Sequence, residues 1–330
     1  MAWVAEWGTG PVGTGSGGEG PAVAGPGHRV PANAVATAVA GGRPVAATAG
    51  QDGLVRWWDA VDGRPLGTFE AGRYTELAIA VVAGRPVVLT VGDYDPRFVR
   101  DPETGACLWR LPVDDATSVT VCHPGGRPTA VTGHEDGTTR LWDLARQCAT
   151  GPVLTGHDQA VRAVAAGVVD GRPLAATSSG MDADQSWDRD VLVHDLTDGR
   201  RLARLPAATT AAVNALALTT VHGRAVVATG DWRGTLRTWD VRSGTETGPA
   251  PTPHRGMFGA LAAGEWAGRP VLASGGDDGT VRLTDLATRT PPAPDLRLPG
   301  RPAGIAVLPG RRLLAAHDHG LVLLAHHPGP

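Results

Sequence analysis

Seven times in 330 residues the chain writes nearly the same segment, and three copies are plain to the eye: GRPVAATAGQDGLVRWWD from Gly42, GRPTAVTGHEDGTTRLWD from Gly126 and GRPVLASGGDDGTVRLTD from Gly268. The Gly-Arg pair recurs at Gly42, Gly84, Gly126, Gly171, Gly223, Gly268 and Gly310, at spacings of 42, 42, 45, 52, 45 and 42 residues. A period of this length means one supersecondary unit per repeat, which cannot bury its apolar face alone and must stack on its neighbours. One closed body therefore fills the chain, whatever its length suggests about domain number. Residues 1–17, MAWVAEWGTGPVGTGSG, are read as a Gly-rich flexible tail, and 18–330 as a single domain.

Within each repeat the apolar runs are short, rich in Val, Thr and Ala, and fenced by turn residues about every ten positions, which is the all-β pattern. In the third copy Ser118 to Cys122 reads as a first strand, Thr129 to Thr132 as a second, Thr138 to Asp143 as a third and Gly151 to Leu154 as a fourth. The Asp136-Gly137 pair between the second and third predicts a primed two-residue hairpin turn, since both central residues of that turn need positive φ. Four antiparallel strands joined by short turns make one propeller blade, with the first strand nearest the axis. Strands such as Val161 to Val169 lack clean alternation, as expected where both faces pack on neighbouring blades. The expectation is an all-β, seven-bladed propeller of four-stranded antiparallel blades.

Composition excludes several functions. Thirty basic against 33 acidic residues give a net charge of -3, so no field draws the whole chain to nucleic acid or to an anionic membrane. All the cations are Arg, with no Lys for a phosphate-binding P-loop; the bias is that of a high-GC genome. Cys107, Cys122 and Cys148 are odd in number and far apart, which argues against a disulfide framework and for a reducing cytoplasm. Neither a secretory leader nor an apolar run long enough to span a bilayer is read from the sequence. Gly8-Thr9-Gly10-Pro11-Val12-Gly13 satisfies GxGxxG, yet no strand is expected before it and no helix after it, so the dinucleotide reading fails on context.

Period, turn chemistry and terminal Trp-Asp together make residues 18–330 resemble the WD40 family, of bacterial type. The resemblance implies a hydrogen-bonded tetrad in each blade: a His before the first strand, a Ser or Thr in the second, an Asp in the next turn and the Trp of the third. Carried over by position, blade 1 offers His28, Thr48, Asp52 and Trp58, and blade 3 offers Thr132, Asp136 and Trp142 without the His. Blade 4 has His157, with His194 in the Trp position; blade 5 has Thr229 and Trp239; blade 6 has Ser274 and Asp278, with Thr284 in the Trp position. Arg100 and Ala325 stand there in blades 2 and 7. After His327 no fourth strand remains for blade 7. The family habit is to close the ring with an N-terminal strand, and Glu19 to Ala24 is expected to supply it.

Two constellations suggest metals. His317, Asp318, His319, His326 and His327 are dense in His, but they belong to opposite ends of a strand and do not converge. Asp182, Asp184, Ser186, Asp188 and Asp190 copy the first ligand positions of a calcium loop, but Trp187 stands where the turn needs Gly and Val193 where a closing Glu belongs. No metal, cofactor or catalytic residue is expected. The expected function is a non-enzymatic, monomeric scaffold binding protein or peptide partners, with no nucleic acid and no membrane. The alternatives are a ligand- or calcium-sensing propeller, or an enzyme with its site at the channel mouth. Turns between fourth and first strands and between second and third share one face, which places Arg29, Arg73, Tyr74, Tyr94, Arg97, Trp187, Trp232, Met257 and Phe258 on a common rim, rich in the side chains that dominate interfaces. Trp266 is assigned to a turn on the opposite face.

Overall fold

The structure, a computed structural model, describes residues 2–8, 13–14, 18–19, 31–73, 75–92, 98–179, 190–206, 211–248, 254–318 and 320–327. It contains seven four-stranded antiparallel sheets, and their first strands contact one another in a closed cycle from blade 1 to blade 7 and back. Blade 3 shows the plan: Ala116–Cys122, Thr129–His134, Thr139–Asp143 and Cys148–Leu154, each paired to the next.

The core is a ring of seven cores, one between each pair of adjacent blades. Val45, Trp57 and Phe69 of blade 1 pack on Leu77, Ile79 and Val88 of blade 2. On the other side Ala46 and Trp58 pack on Ala306, Leu314 and Leu323 of blade 7. The adjacent Trp57 and Trp58 point to opposite faces of one strand and so serve two different interfaces. This explains why the blades lack clean in/out alternation: neither face of a blade's sheet is free.

The repeated Gly-Arg marks the turn between first and second strands. Ala83 and Gly84 have φ of 49° and 79°, Asp170 and Gly171 49° and 74°, Ala267 and Gly268 51° and 76°. Two successive positive φ angles define the primed hairpin, so it lies here and not at Asp-Gly. Nothing lies within 4 Å of a Cβ built on Gly268, so backbone conformation alone, not crowding, favours glycine there. At Asp136-Gly137 only the Gly has positive φ, and the Asp136 carboxylate accepts the Thr138 amide at 2.9 Å. The expected primed turn is thus replaced by a wider one that the Asp side chain holds together.

The Arg of Gly-Arg and the Asp of Trp-Asp also meet. Arg43 reaches Asp59 at 2.6 Å, Arg172 reaches Asp195 at 2.9 Å, and Arg269 reaches Asp285 at 3.5 Å. Each Asp is buried and also accepts amides of its own turn, as Asp195 does from Thr197. Burial raises the Asp195 carboxyl, but the Thr197 and Arg172 bonds outweigh it and hold the group below the usual carboxylate range. The two sequence markers are the two ends of one clamp across a blade.

An N-terminal strand closes the ring, but it is Ala2–Gly8 and not Glu19 to Ala24. It runs antiparallel to Gly320–His327, with Ala2 opposite His327 and Gly8 opposite Val322. An eight-residue open edge needs a partner with its amides in place. AWVAEWG supplies them, whereas Pro21 interrupts the other segment. The closing strand therefore comes from the segment read as a tail. A strand does precede Gly13, but a hairpin of Gly13–Thr14 with Gly18–Glu19 follows it, and no described residue there is in the helix that a dinucleotide motif needs.

Candidate functional site

The expected tetrads resolve into several partial networks. Trp58 Nε1 donates to Thr48 Oγ1 at 3.0 Å, Trp142 to Thr132 at 2.8 Å and Trp239 to Thr229 at 3.2 Å, all buried. His157 bonds Thr177 at 2.9 Å. His28 lies outside the described residues, and Asp52 pairs with Arg56 at 2.8 Å. In blade 2 Arg100 stands where an indole would donate, and Thr90 Oγ1 is buried without a partner.

Blade 3 holds a network that the sequence pattern hid. His134 Nε2 bonds Thr132 Oγ1 at 2.8 Å and its Nδ1 bonds Asp115 at 2.8 Å. The His and Asp have exchanged places: Asp115 precedes the first strand and His134 ends the second. Asp136, assigned to the tetrad by position, instead holds Thr138 and Arg140, the latter at 2.8 Å. Asp115-Ala116 at the usual place of the His was the signal available in the sequence.

Blade 6 carries Asp278, His254 and Ser274 in series, with His254 Nδ1 3.0 Å from Asp278 and Nε2 2.9 Å from Ser274. The order of bonds is that of a nucleophilic triad, but Ser274 is 1% exposed, so its hydroxyl is closed off from solvent within the blade. His254 was missing from the positional assignment of this blade. Burial lowers the His254 and His134 pKa values, and the carboxylate beside each only partly offsets it. In blade 4 His194 fills the Trp position; burial, then the neighbouring His157 and Arg201, pull its pKa from 6.5 to about 4.

Of the nine rim residues, Arg29, Tyr74, Tyr94, Arg97 and Trp187 lie outside the described residues. The structure places two of the others on adjoining loops. Trp232 sits in the blade 5 turn between second and third strands, its amide bonded to the Ala212 carbonyl at 3.2 Å. That turn abuts the loop carrying Met257, since the His254 amide donates to the Gly234 carbonyl at 3.0 Å. Met257 is half-buried and tied to Asp277 in both directions, at 3.0 and 3.2 Å. Trp232 is 41% exposed, which makes it an open aromatic on this rim. Arg73 is exposed on the same face, but between blades 1 and 2, away from this pair. Arg255, exposed beside Met257, belongs to the patch and was not singled out by sequence.

Phe258 does not belong to the rim. It begins the inner strand of blade 6, is 2% exposed, and covers Gly230 of blade 5, where an added Cβ would lie 2.8 Å from its ring. Val161 covers Gly133 in the same way two interfaces earlier, so this is a packing position that happens to hold an aromatic. Trp266 is likewise buried, in the core between blades 6 and 7 near His326, and not in an open turn.

Among the described residues no group of three His, Cys, Asp or Glu could hold a metal ion. Asp182, Asp184, Ser186 and Asp188, and His319, fall outside them; Asp190 pairs with Arg204. No described helix is long and apolar enough to cross a membrane. No family model and no curated protein matches the sequence. The fold is a seven-bladed β-propeller, and its Trp–Thr and His–Ser bonds are consistent with a WD40-type blade.

Proposed function

We propose that the chain is a WD40-type propeller of bacterial type that works in the cytoplasm as a non-enzymatic, monomeric scaffold, presenting one rim to protein or peptide partners. The observation that carries this reading is Trp232, 41% exposed on a turn whose backbone is pinned to the neighbouring loop. An aromatic held open on rigid backbone loses little entropy on binding, and Trp with Arg and Met is the composition of interface cores. Met257 and Arg255 on the adjoining loop add a flexible apolar side chain and a charge to this rim.

Partner capture from the native cell, followed by affinity measurement, tests the reading. The Trp232→Ala, Met257→Ala double variant should lose about 2 kcal/mol or more of binding with its melting temperature nearly unchanged. Val168→Ser, at an exposed position near the opposite-face turn of blade 4, is the control. If the control loses capture and the rim variant binds normally, the reading is wrong.

A further inference from the structure

The channel along the propeller axis carries charged side chains for which the fold has no use. Six inner strands begin on a bulge. In blade 1 Ala32 and Ala34 oppose Gly50 and Ala49, leaving Asn33 over, and the same slip leaves Thr117, Arg162, Asn214, Gly259 and Ala303. A bulged residue has no place in the ladder, and here most of these line the channel. In blade 2 pairing is unbroken, and its first residue, Glu76, lines the channel instead. The cavity so formed is about 220 Å³.

Some of these groups have structural work. The Thr117 hydroxyl donates to the Val161 carbonyl of the next blade, and Asn214 Nδ2 donates to the Phe258 carbonyl at 2.9 Å. The others have none. Asn33 Nδ2, Arg162 Nε and Asn214 Oδ1 are buried without a hydrogen-bond partner. Glu76 and Arg162 line one cavity and form no ion pair, with each other or with any described residue. The channel wall around it pushes the Glu76 carboxyl up, although the side chain keeps contact with solvent. Blades 6 and 7 offer only Gly259 and Ala303, and a Cβ on Gly259 would lie 1.8 Å from the Pro302 carbonyl. The charged and polar side chains of the wall therefore come from blades 1 to 5, and blades 6 and 7 add none.

We propose that this cavity binds a small zwitterion, a free α-amino acid, independently of the rim. The carboxylate of the ligand accepts from the Arg162 guanidinium and Asn33 Nδ2, and its ammonium donates to Glu76 and Asn214 Oδ1. A simple anion would face the Glu76 carboxylate, a simple cation would face Arg162, and a neutral ligand would leave both charges unmet. A ligand with both signs satisfies all four groups, of which Asn33 Nδ2, Arg162 Nε and Asn214 Oδ1 are otherwise buried and unpaired and Glu76 is without an ion-pair partner. The cavity is smaller than the ~300 Å³ at which drug-sized pockets begin, which suits a molecule of amino-acid dimensions.

The test is a melting-temperature and calorimetric screen of the full chain against the free L-amino acids, repeated for each hit with its N-acetyl and carboxamide derivatives. At least one amino acid should raise the melting temperature saturably, since it binds only the folded state. Each derivative lacks one charge and should bind at least ten-fold more weakly. Glu76→Gln and Arg162→Met should each weaken binding at least ten-fold while melting like the parent without ligand. Should a variant fail to fold, the derivatives on the unaltered chain decide the matter. The proposal is overturned if no amino acid shifts melting at millimolar concentration, if the derivatives bind as tightly as their parents, or if folded variants bind unchanged.

Discussion

At the scale of single residues, the contrast between two tryptophans separates fold from function. Trp142 is 3% exposed, donates its indole N–H to Thr132 and stacks edge-on with Trp109 at 6.1 Å. Trp142→Ala opens a cavity and strips Thr132 of a donor, at a cost of about 3–5 kcal/mol in urea melts. Trp232→Ala should cost under about 0.5 kcal/mol, because its side chain leaves the fold little to lose. Equal destabilisation would contradict the assignment of one to core and the other to rim. His194 gives a second test. A histidine whose folded pKa lies below its unfolded value binds more protons unfolded, so its contribution is complete above 6.5 and is lost as pH falls toward 4. Stability should decline over that window, and His194→Gln should flatten the slope. A slope unchanged by the substitution would assign the acid sensitivity to other groups. The sequence could not reveal His194's depressed pKa, because burial and the neighbouring His157 and Arg201 set it.

At the scale of strands and turns, most of the pattern was legible because turn chemistry is local. The strand positions in the third repeat follow from Gly126 and Asp136-Gly137, and the structure differs from them by a few residues at the ends. What sequence spacing could not resolve was which end of a blade needs which turn. Asp side chains cap turns through negative φ as readily as they tolerate positive φ, and only backbone geometry distinguishes the two. The closing strand failed for a related reason. Counting back from His28 finds a segment at the right distance, but pairing is decided by the open edge at Gly320–His327, which the local pattern does not report. Removing residues 1–9 should strip blade 7 of its outer strand and leave that edge unpaired. We expect a clear fall in melting temperature with aggregation in light scattering. Unchanged melting of a monomeric truncate would contradict the closing role of Ala2–Gly8.

At the scale of the whole molecule, stability is distributed and function is localised. Each blade shares its two cores with its neighbours, so departures from the tetrad pattern, such as Thr284 in blade 6 or Ala325 in blade 7, leave the ring intact. The same geometry decides which rim residues are open. Phe258 and Trp232 look alike in sequence, yet one starts an inner strand pressed on Gly230 and the other tops a turn. A repeat alignment places both on one face and cannot tell a packing aromatic from a presented one. The most direct measurement of the rim's role is hydrogen exchange of the chain with and without its captured partner. We expect new protection at residues 231–235 and 254–257, with the opposite-face turns at 170–171, 222–223 and 267–268 unchanged. Protection of those turns while the rim exchanges as before would contradict the assignment of function to this face.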